Sequence, residues 1–227
     1  MTIIHRTLVL ASFFTITAQS LPAAVVAYWN FNNLNISGAN TPGTGGVPTT
    51  IAADQGSGSL DLSSWAGTVD DYAGSSLNTL NSDTASKSLS LLAASGSPYP
   101  GNKSFITLQF SMTGLSDPSL SFATQGTSTG FNSNQLSYSI DGSNFTNISS
   151  PFTPDSSYST QTFDLSSIND LDGASSATIK ITFSGASGST GNNRIDNLQL
   201  NAIPEPSTLV LVCLGLTALT FHRPQRS

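Results

Sequence analysis

Cysteine, histidine and glutamate are almost missing from this chain of 227 residues. The single cysteine, the single glutamate and both histidines fall near the two ends, at Cys213, Glu205, His5 and His222. The long region between them therefore has no imidazole and no thiolate, which excludes a Ser-His-Asp triad, a Cys-His dyad and nearly every zinc site. Disulfides are excluded there too, so the hydrophobic core alone must stabilise the fold.

Positive charge is equally scarce. Residues 25–202 contain four basic residues against twelve aspartates, a net charge of −8. Such a surface repels phosphate groups, so nucleic-acid binding is not expected. Paired aspartates can hydrolyse a glycoside, but the only adjacent pair is Asp70 and Asp71, and neighbours on a strand point to opposite faces. We interpret this pair as solvated turn acids and predict no enzyme; a hydrolase is the third alternative.

The start of the chain is typical of a secretory signal peptide over residues 1–24. His5 and Arg6 precede a short apolar run at 7–18, and small residues follow at 21–24. The apolar run is too short for a stable membrane span. We therefore predict a signal helix, export through the Sec translocon and cleavage after Ala23 or Ala24.

Long hydrophobic runs and helical periodicity are both absent between the two ends. Apolar residues alternate with polar ones instead, and Gly, Pro, Asn and Asp separate the alternating segments. The clearest segments are 25–31, 104–112, 135–140, 177–183 and 194–201. Leu115 and Asp117-Pro118 are predicted to form a turn, and Asp141-Gly142 a tight hairpin turn that requires positive φ.

About nine such strands without helical interruptions predict an all-β fold, an antiparallel β-sandwich over residues 25–202. The first and last strands are both apolar enough to lie inside a sheet. Jelly rolls protect their terminal strands in this way, so a jelly roll is the predicted topology.

The C-terminal segment, residues 203–227, has three parts. Residues 203–206 hold a proline pair around one acid, 207–221 are mostly apolar, and 222–227 contain Arg223 and Arg226. A membrane span needs about 20 apolar residues, range about 17–25. The apolar part is close to that length and predicts a C-terminal transmembrane helix. Arg223 and Arg226 would stay on the cytoplasmic side as a membrane stop.

This tripartite tail resembles the PEP-CTERM sorting signal, which exosortase-type membrane transpeptidases read in bacteria that make exopolysaccharide. Pro204, Glu205 and Pro206 match the motif. The resemblance implies an exosortase-type partner, an exported precursor anchored transiently in the inner membrane, and delivery to the cell surface or extracellular matrix, where exopolysaccharide is a further partner. An ordinary tail anchor is the alternative.

Two internal strings, 138–145 and 193–200, resemble parts of carbohydrate-binding jelly rolls. In several such modules an aspartate of the last strand binds a structural calcium, and Asp196 is the matching position. The resemblance therefore implies a calcium site, for which Asn32, Asn33 and Asp172 are candidate second ligands. The competing interpretation is that Asp196 bonds Arg194 or a turn amide.

Aromatic side chains are the usual stacking platforms of sugar-binding proteins, and they are few in this sequence. Tyr99, between two prolines, is the preferred exposed candidate; Trp29 and Trp65 are expected in the core. The other candidates are Tyr72, Phe131 and Tyr158. The sequence thus favours a non-catalytic surface or matrix protein. A carbohydrate-binding module, with or without calcium, is the alternative.

Overall fold

A computed structural model describes residues 21–205. It contains a 3-10 helix at Asn169–Leu171 and thirteen strands: β1 Ala24–Trp29, β2 Thr50–Ala52, β3 Gln55–Gly56, β4 Gly58–Asp61, β5 Thr68–Ala73, β6 Lys87–Leu92, β7 Ser104–Phe110, β8 Leu115–Gly126, β9 Ser133–Ser139, β10 Thr146–Asn147, β11 Ser159–Asp164, β12 Ala177–Ser184 and β13 Asn192–Pro204. The predicted signal helix, the transmembrane helix, Pro206, Arg223 and Arg226 lie outside these residues.

Two antiparallel sheets form a sandwich, as the alternation predicts. Sheet A runs β11-β8-β13-β1-β3, and β6 also pairs with β13 and carries β5 on its other edge. Sheet B runs β10-β9-β12-β7-β4-β2. Between β6 and β13 the chain passes repeatedly from one sheet to the other.

The topology of the last eight strands is that of a jelly roll. In sheet A, β6, β13, β8 and β11 are neighbours in that order, and in sheet B the order is β7, β12, β9 and β10. The first strand, β1, pairs with the last, β13, inside sheet A. The predicted placement of the terminal strands is confirmed, because β1 and β13 both have a neighbour on each side and neither forms an edge of the sheet.

Alternating side chains of the two sheets meet in one core. In β7 and β12, Ile106, Leu108, Ile179 and Ile181 are all fully buried. Trp29 and Trp65 are also buried, as expected, and Trp65 packs edge-to-face on Phe131 and Phe183 at 5.4 Å between ring centroids. Since a strand presents alternate residues to each face, the polar residues between them face outward.

Three local predictions were wrong. Asp70 and Asp71 lie within β5 and not in a turn, since residues 68–73 pair with β6. Leu115 and Asp117 belong to the twelve-residue strand β8, which accommodates a positive φ of 51° at Asp117. The predicted two-residue turn is a loop over 140–145, because Tyr138 pairs with Thr146; Gly142 has the expected positive φ, 72°.

The last strand, β13, is the longest of the described region. One edge pairs with β8, while the other pairs first with β6 and then with β1. A bulge between Asp196 and Gln199 marks the change of partner, and a second shift lies between Asn201 and Ile203.

Candidate functional site

The sorting motif begins inside the folded domain. β13 extends to Pro204, two residues past the predicted end of the sandwich, with Ile203 opposite Ser116 and Pro204 opposite Leu115. The Glu205 amide then donates to the Gly114 carbonyl at 2.9 Å. Two of the three predicted sorting residues, Pro204 and Glu205, are therefore held against β8.

Proline fits this position because β13 has a free edge here. The pairing with β1 stops at Ala24 and Ala202, so Ile203 and Pro204 are bonded only to β8. A proline has no amide hydrogen to donate and is tolerated where one side of a strand lacks a partner. Ala202, one step earlier, is buried between both neighbours at 1 % exposure.

The end of the sandwich around Glu205 is acidic. Gly173 donates its amide to the Leu115 carbonyl, and a Cβ at Gly173 would lie 3.8 Å from the Glu205 carboxylate. Asp172, beside it, accepts a hydrogen bond from the Asp117 amide at 2.9 Å. Glu205, Asp117 and Asp172 thus share the end from which the tail leaves.

A second feature is the bulge at Asp196 and Asn197, which holds the loop between β5 and β6. The Asp196 carboxylate accepts hydrogen bonds from the Ser75 amide at 2.6 Å and from the Asn197 amide at 2.9 Å. The side-chain NH₂ group of Asn197 donates to the carbonyls of Ser75 and Leu77, and its side-chain oxygen accepts from the Tyr28 hydroxyl at 2.9 Å. Asn197 adopts a positive φ of 47°, which asparagine tolerates better than most residues.

Burial raises the pKa values of Asp196, in the bulge, and of Tyr28, which bonds Asn197 from β1. Asp196 is 1 % exposed, and desolvation raises the pKa of its carboxyl to about 7. The two amide hydrogen bonds lower this pKa, but their effect is smaller. Desolvation also raises the pKa of Tyr28 to about 12. Asp196 bonds a turn amide, and the one ion pair of the described region joins Lys87 to Asp71 and does not involve Arg194.

Asp172, one of the predicted calcium ligands, does not lie beside Asp196. Asp172 bonds Asp117, which lies six residues along β8 from Ala123, the partner of Asp196, a separation of about 20 Å. Asn32 accepts a hydrogen bond from the Lys87 amide, and Asn33 is exposed. Across residues 21–205, no three His, Cys, Asp or Glu side chains come together as a metal site. The calcium site stays a prediction.

A third feature is a cleft of about 390 Å³ beside β9 and β10. Its walls include Tyr138, Ile148 and Ile168, with Asn147, Asn169 and Asp170 among its polar groups. The Tyr138 hydroxyl donates to the Asp170 carboxylate at 3.3 Å. Burial, and then the negative charge of Asp170, raise the pKa of Tyr138. No basic residue lines the cleft.

The predicted aromatic platforms occupy different environments. Tyr99 is half-buried and packs against the core, so its ligand-binding role stays a prediction. Phe131 was wrongly placed among the exposed candidates, since it is 1 % exposed and packs on Trp65 and Phe183. On the outer face of sheet A, the Arg194 guanidinium lies 4.6 Å from the Tyr72 ring centre, and the Tyr158 hydroxyl donates to the Ala73 carbonyl.

Sequence reasoning missed Asn197 and the cleft. One available signal for the bulge is the spacing of Ile195 and Leu198, three residues apart where an unbroken strand needs two. The cleft brings Tyr138 and Asp170 together from segments 32 residues apart. Nothing in the strand periodicity encodes that contact.

The comparisons with known proteins match the tail. The model of the PEP-CTERM protein-sorting motif matches residues 202–223, so the chain carries this sorting motif at the end of the described β-sandwich. No curated protein sequence matches the chain. Within residues 21–205, no helix has the length and apolar character needed to cross a membrane.

Several solved structures are similar to the sandwich at low identity. The CBM22-1 xylan-binding domain from Paenibacillus barcinonensis Xyn10C is 9 % identical, with 84 % of this chain and 100 % of that chain covered and a TM-score of 0.43. The K3 cleaved adhesin domain of Lys-gingipain from Porphyromonas gingivalis is 13 % identical, with 79 % of this chain and 99 % of that chain covered and a TM-score of 0.42. TmCBM61, solved with β-1,4-galactotriose, is 12 % identical, with 75 % of this chain and 92 % of that chain covered and a TM-score of 0.38. We draw no functional conclusion from these likenesses.

Proposed function

We propose that this chain is an exported, non-catalytic protein of the cell surface or extracellular matrix, sorted by an exosortase-type transpeptidase. The sorting motif at residues 202–223, placed at the end of a folded β-sandwich, carries this proposal. Residues 1–24 direct export through the Sec translocon, and residues 207–221 hold the precursor in the inner membrane. The enzyme cuts near Pro204, Glu205 and Pro206 and transfers the domain outward.

The start of β1 supports cleavage of the signal peptide after Ala23. β1 begins at Ala24, which pairs with Ala202 of the last strand. A cut after Ala23 leaves every residue of β1, whereas a cut after Ala24 removes its first cross-strand pair.

The surroundings of the aspartates support a non-catalytic role. Asp71 pairs with Lys87, and hydrogen bonds from Ile36 and Lys87 hold the pKa of Asp71 below its ordinary value despite its burial. Asp141 and Asp164 accept loop amides, which lower the pKa of both carboxyls. A glycoside hydrolase needs two carboxyls facing one substrate. These acids instead stabilise separate loops and strands.

Sorting is tested by expressing the full chain in an exosortase-positive host and in the same host without the enzyme. We expect the protein in the outer surface or matrix fraction only when the enzyme is present, and in the inner membrane otherwise. A variant with Pro204, Glu205 and Pro206 all replaced by alanine should stay in the membrane in both hosts. The control is Asp170→Asn, which leaves the motif intact and should be sorted normally. Equal distribution of the wild type in both hosts would contradict the proposal.

The cleft at Tyr138 favours a second candidate function, binding of a neutral carbohydrate. Its volume of about 390 Å³ falls within the range of about 300–1,000 Å³ typical of small-molecule sites. Tyr138 offers an aromatic ring, and Asp170 and Asn147 offer hydrogen-bonding groups suited to sugar hydroxyls. Without a basic residue in its lining, the cleft favours an uncharged ligand over an acidic polysaccharide.

Carbohydrate binding is tested on a glycan array, followed by titration of any hit. We expect Tyr138→Ala to weaken binding about tenfold, since the variant loses the aromatic face and the hydroxyl of the cleft, and a tenfold change corresponds to about 1.4 kcal/mol. Tyr99→Ala is the matched control, because Tyr99 lies in the loop between β6 and β7 and does not line the cleft beside β9. Loss of binding in the Tyr99 variant alone would place the site there. An array without any hit would remove the carbohydrate-binding candidate.

A further inference from the structure

The sorting motif and the last strand overlap in sequence. The motif match begins at Ala202, while β13 continues to Pro204 and the Glu205 amide bonds Gly114. The backbone of residues 203–205 therefore lies along residues 114–116, at the start of β8. No spacer separates the folded domain from the motif.

We propose that the end of β13 must detach from β8 before the sorting enzyme can act, so that the sandwich itself controls how fast the motif is processed. This inference rests on the proposed function. Proteins that bind an extended peptide commonly hydrogen-bond its backbone as an added strand, and we expect the sorting enzyme to do the same. In the folded domain, β8 occupies part of the backbone that such an enzyme needs.

The structure also shows where the strand can open. Ile203 and Pro204 are bonded on one edge only, while Ala202 is buried between β8 and β1. The register shift between Asn201 and Ile203 lies at the boundary between these two parts. Because stability is lowest at the ends of elements, residues 203–205 can separate while the strand before them stays paired. Opening is then local, and the domain does not unfold.

A cross-strand disulfide tests whether opening is needed. Ile203 and Ser116 are directly opposite, a geometry compatible with a disulfide. We combine Ile203→Cys and Ser116→Cys in a Cys213→Ala background, which removes the only native cysteine. In an exosortase-positive host, the oxidised full-length variant should be processed at least about tenfold more slowly than its background, because the pairing cannot open. Dithiothreitol should restore the rate.

Two controls separate this effect from other causes. Ile203→Cys alone, in the same background, reports any direct effect of changing the motif. Thr178→Cys with Gln109→Cys places a disulfide between β12 and β7, opposite residues in the other sheet. Both controls should be processed at the rate of the background.

The opposite change needs no disulfide. A short Gly-Ser linker between Ala202 and Ile203 lets the motif lie free of β8, and processing should accelerate several-fold. The proposal is overturned if the oxidised variant is processed at the background rate, or if the linker leaves the rate unchanged. If the wild type and the background are not processed at all, the proposed sorting function fails instead.

Discussion

Replacing Asn197 by alanine is expected to lower the free energy of unfolding of the β-sandwich by about 3 kcal/mol. Asn197 is 2 % exposed, and its side chain bonds the Tyr28 hydroxyl and the carbonyls of Ser75 and Leu77. Alanine leaves these three polar groups without their partner and must also adopt the positive φ of 47°. The loop between β5 and β6 then keeps only its other hydrogen bonds to the last strand, such as that from the Ser75 amide to Asp196.

Urea unfolding of residues 24–205 measures this effect. Asn197→Gly relieves the backbone strain but not the lost hydrogen bonds, so it should recover only part of the stability. The matched control is Asn201→Ala on the same strand, whose side chain makes one long contact of 3.5 Å to Gln199. That control should change the free energy of unfolding by at most about 0.5 kcal/mol. Equal stability of the two alanine variants would show that the bulge does not anchor the loop.

Stability is expected to fall as the pH rises from about 4 to about 7. The ordinary pKa of an aspartate is 3.8, while burial raises that of Asp196 to about 7 in the folded state. Below about pH 4 the Asp196 carboxyl is protonated in both the folded and the unfolded state. Above that pH the unfolded state loses its proton first, which stabilises it relative to the folded state. The folded state loses up to about 4 kcal/mol over this window, and the loss levels off above pH 7.

Thermal unfolding across this pH range separates Asp196 from the other acids. Asp71, Asp141 and Asp164 have lowered pKa values, so their contributions are lost only below about pH 4. Asp196→Asn should remove most of the slope between pH 4 and 7, whereas the exposed control Asp155→Asn should keep it. An unchanged slope in the Asp196 variant would contradict the assignment.

The same variants test the predicted calcium site. A calcium ion at Asp196 would stabilise the ionised carboxylate and raise the melting temperature of the wild type at pH 7, but not that of Asp196→Asn. No heat of binding and no rise in melting temperature with calcium would end that prediction.

The alternation of apolar and polar residues was enough to predict the sandwich, because each strand buries one face against the other sheet. The run 177–183 predicts β12 within one residue, and its apolar positions Ile179, Ile181 and Phe183 all face the core. β2 and β3 have only three and two residues, too few to show a period. At Asp117 and Pro118, local turn chemistry predicts the end of a strand, but β8 continues through a register shift in its pairing with β13.

The candidate sites were predictable only where local sequence carries them. Pro204, Glu205 and Pro206 mark the sorting motif by themselves, but the same prolines hide the continuation of β13 into it. Free edges at the end of a sheet tolerate proline, and sequence alone does not show where the neighbouring strand β1 stops. The partners of Asp196 and Asn197 come from residues about 120 positions earlier, a contact set by topology.

Mass spectrometry of the mature C-terminus tests the central claim most directly. The proposed sorting predicts a protein recovered from the cell surface or matrix whose chain ends near residues 204–206, without the apolar segment 207–221 and without Arg223 and Arg226. The N-terminal peptide in the same spectrum should begin at Ala24. A surface protein whose C-terminal peptide still contains Phe221 and His222 would contradict it.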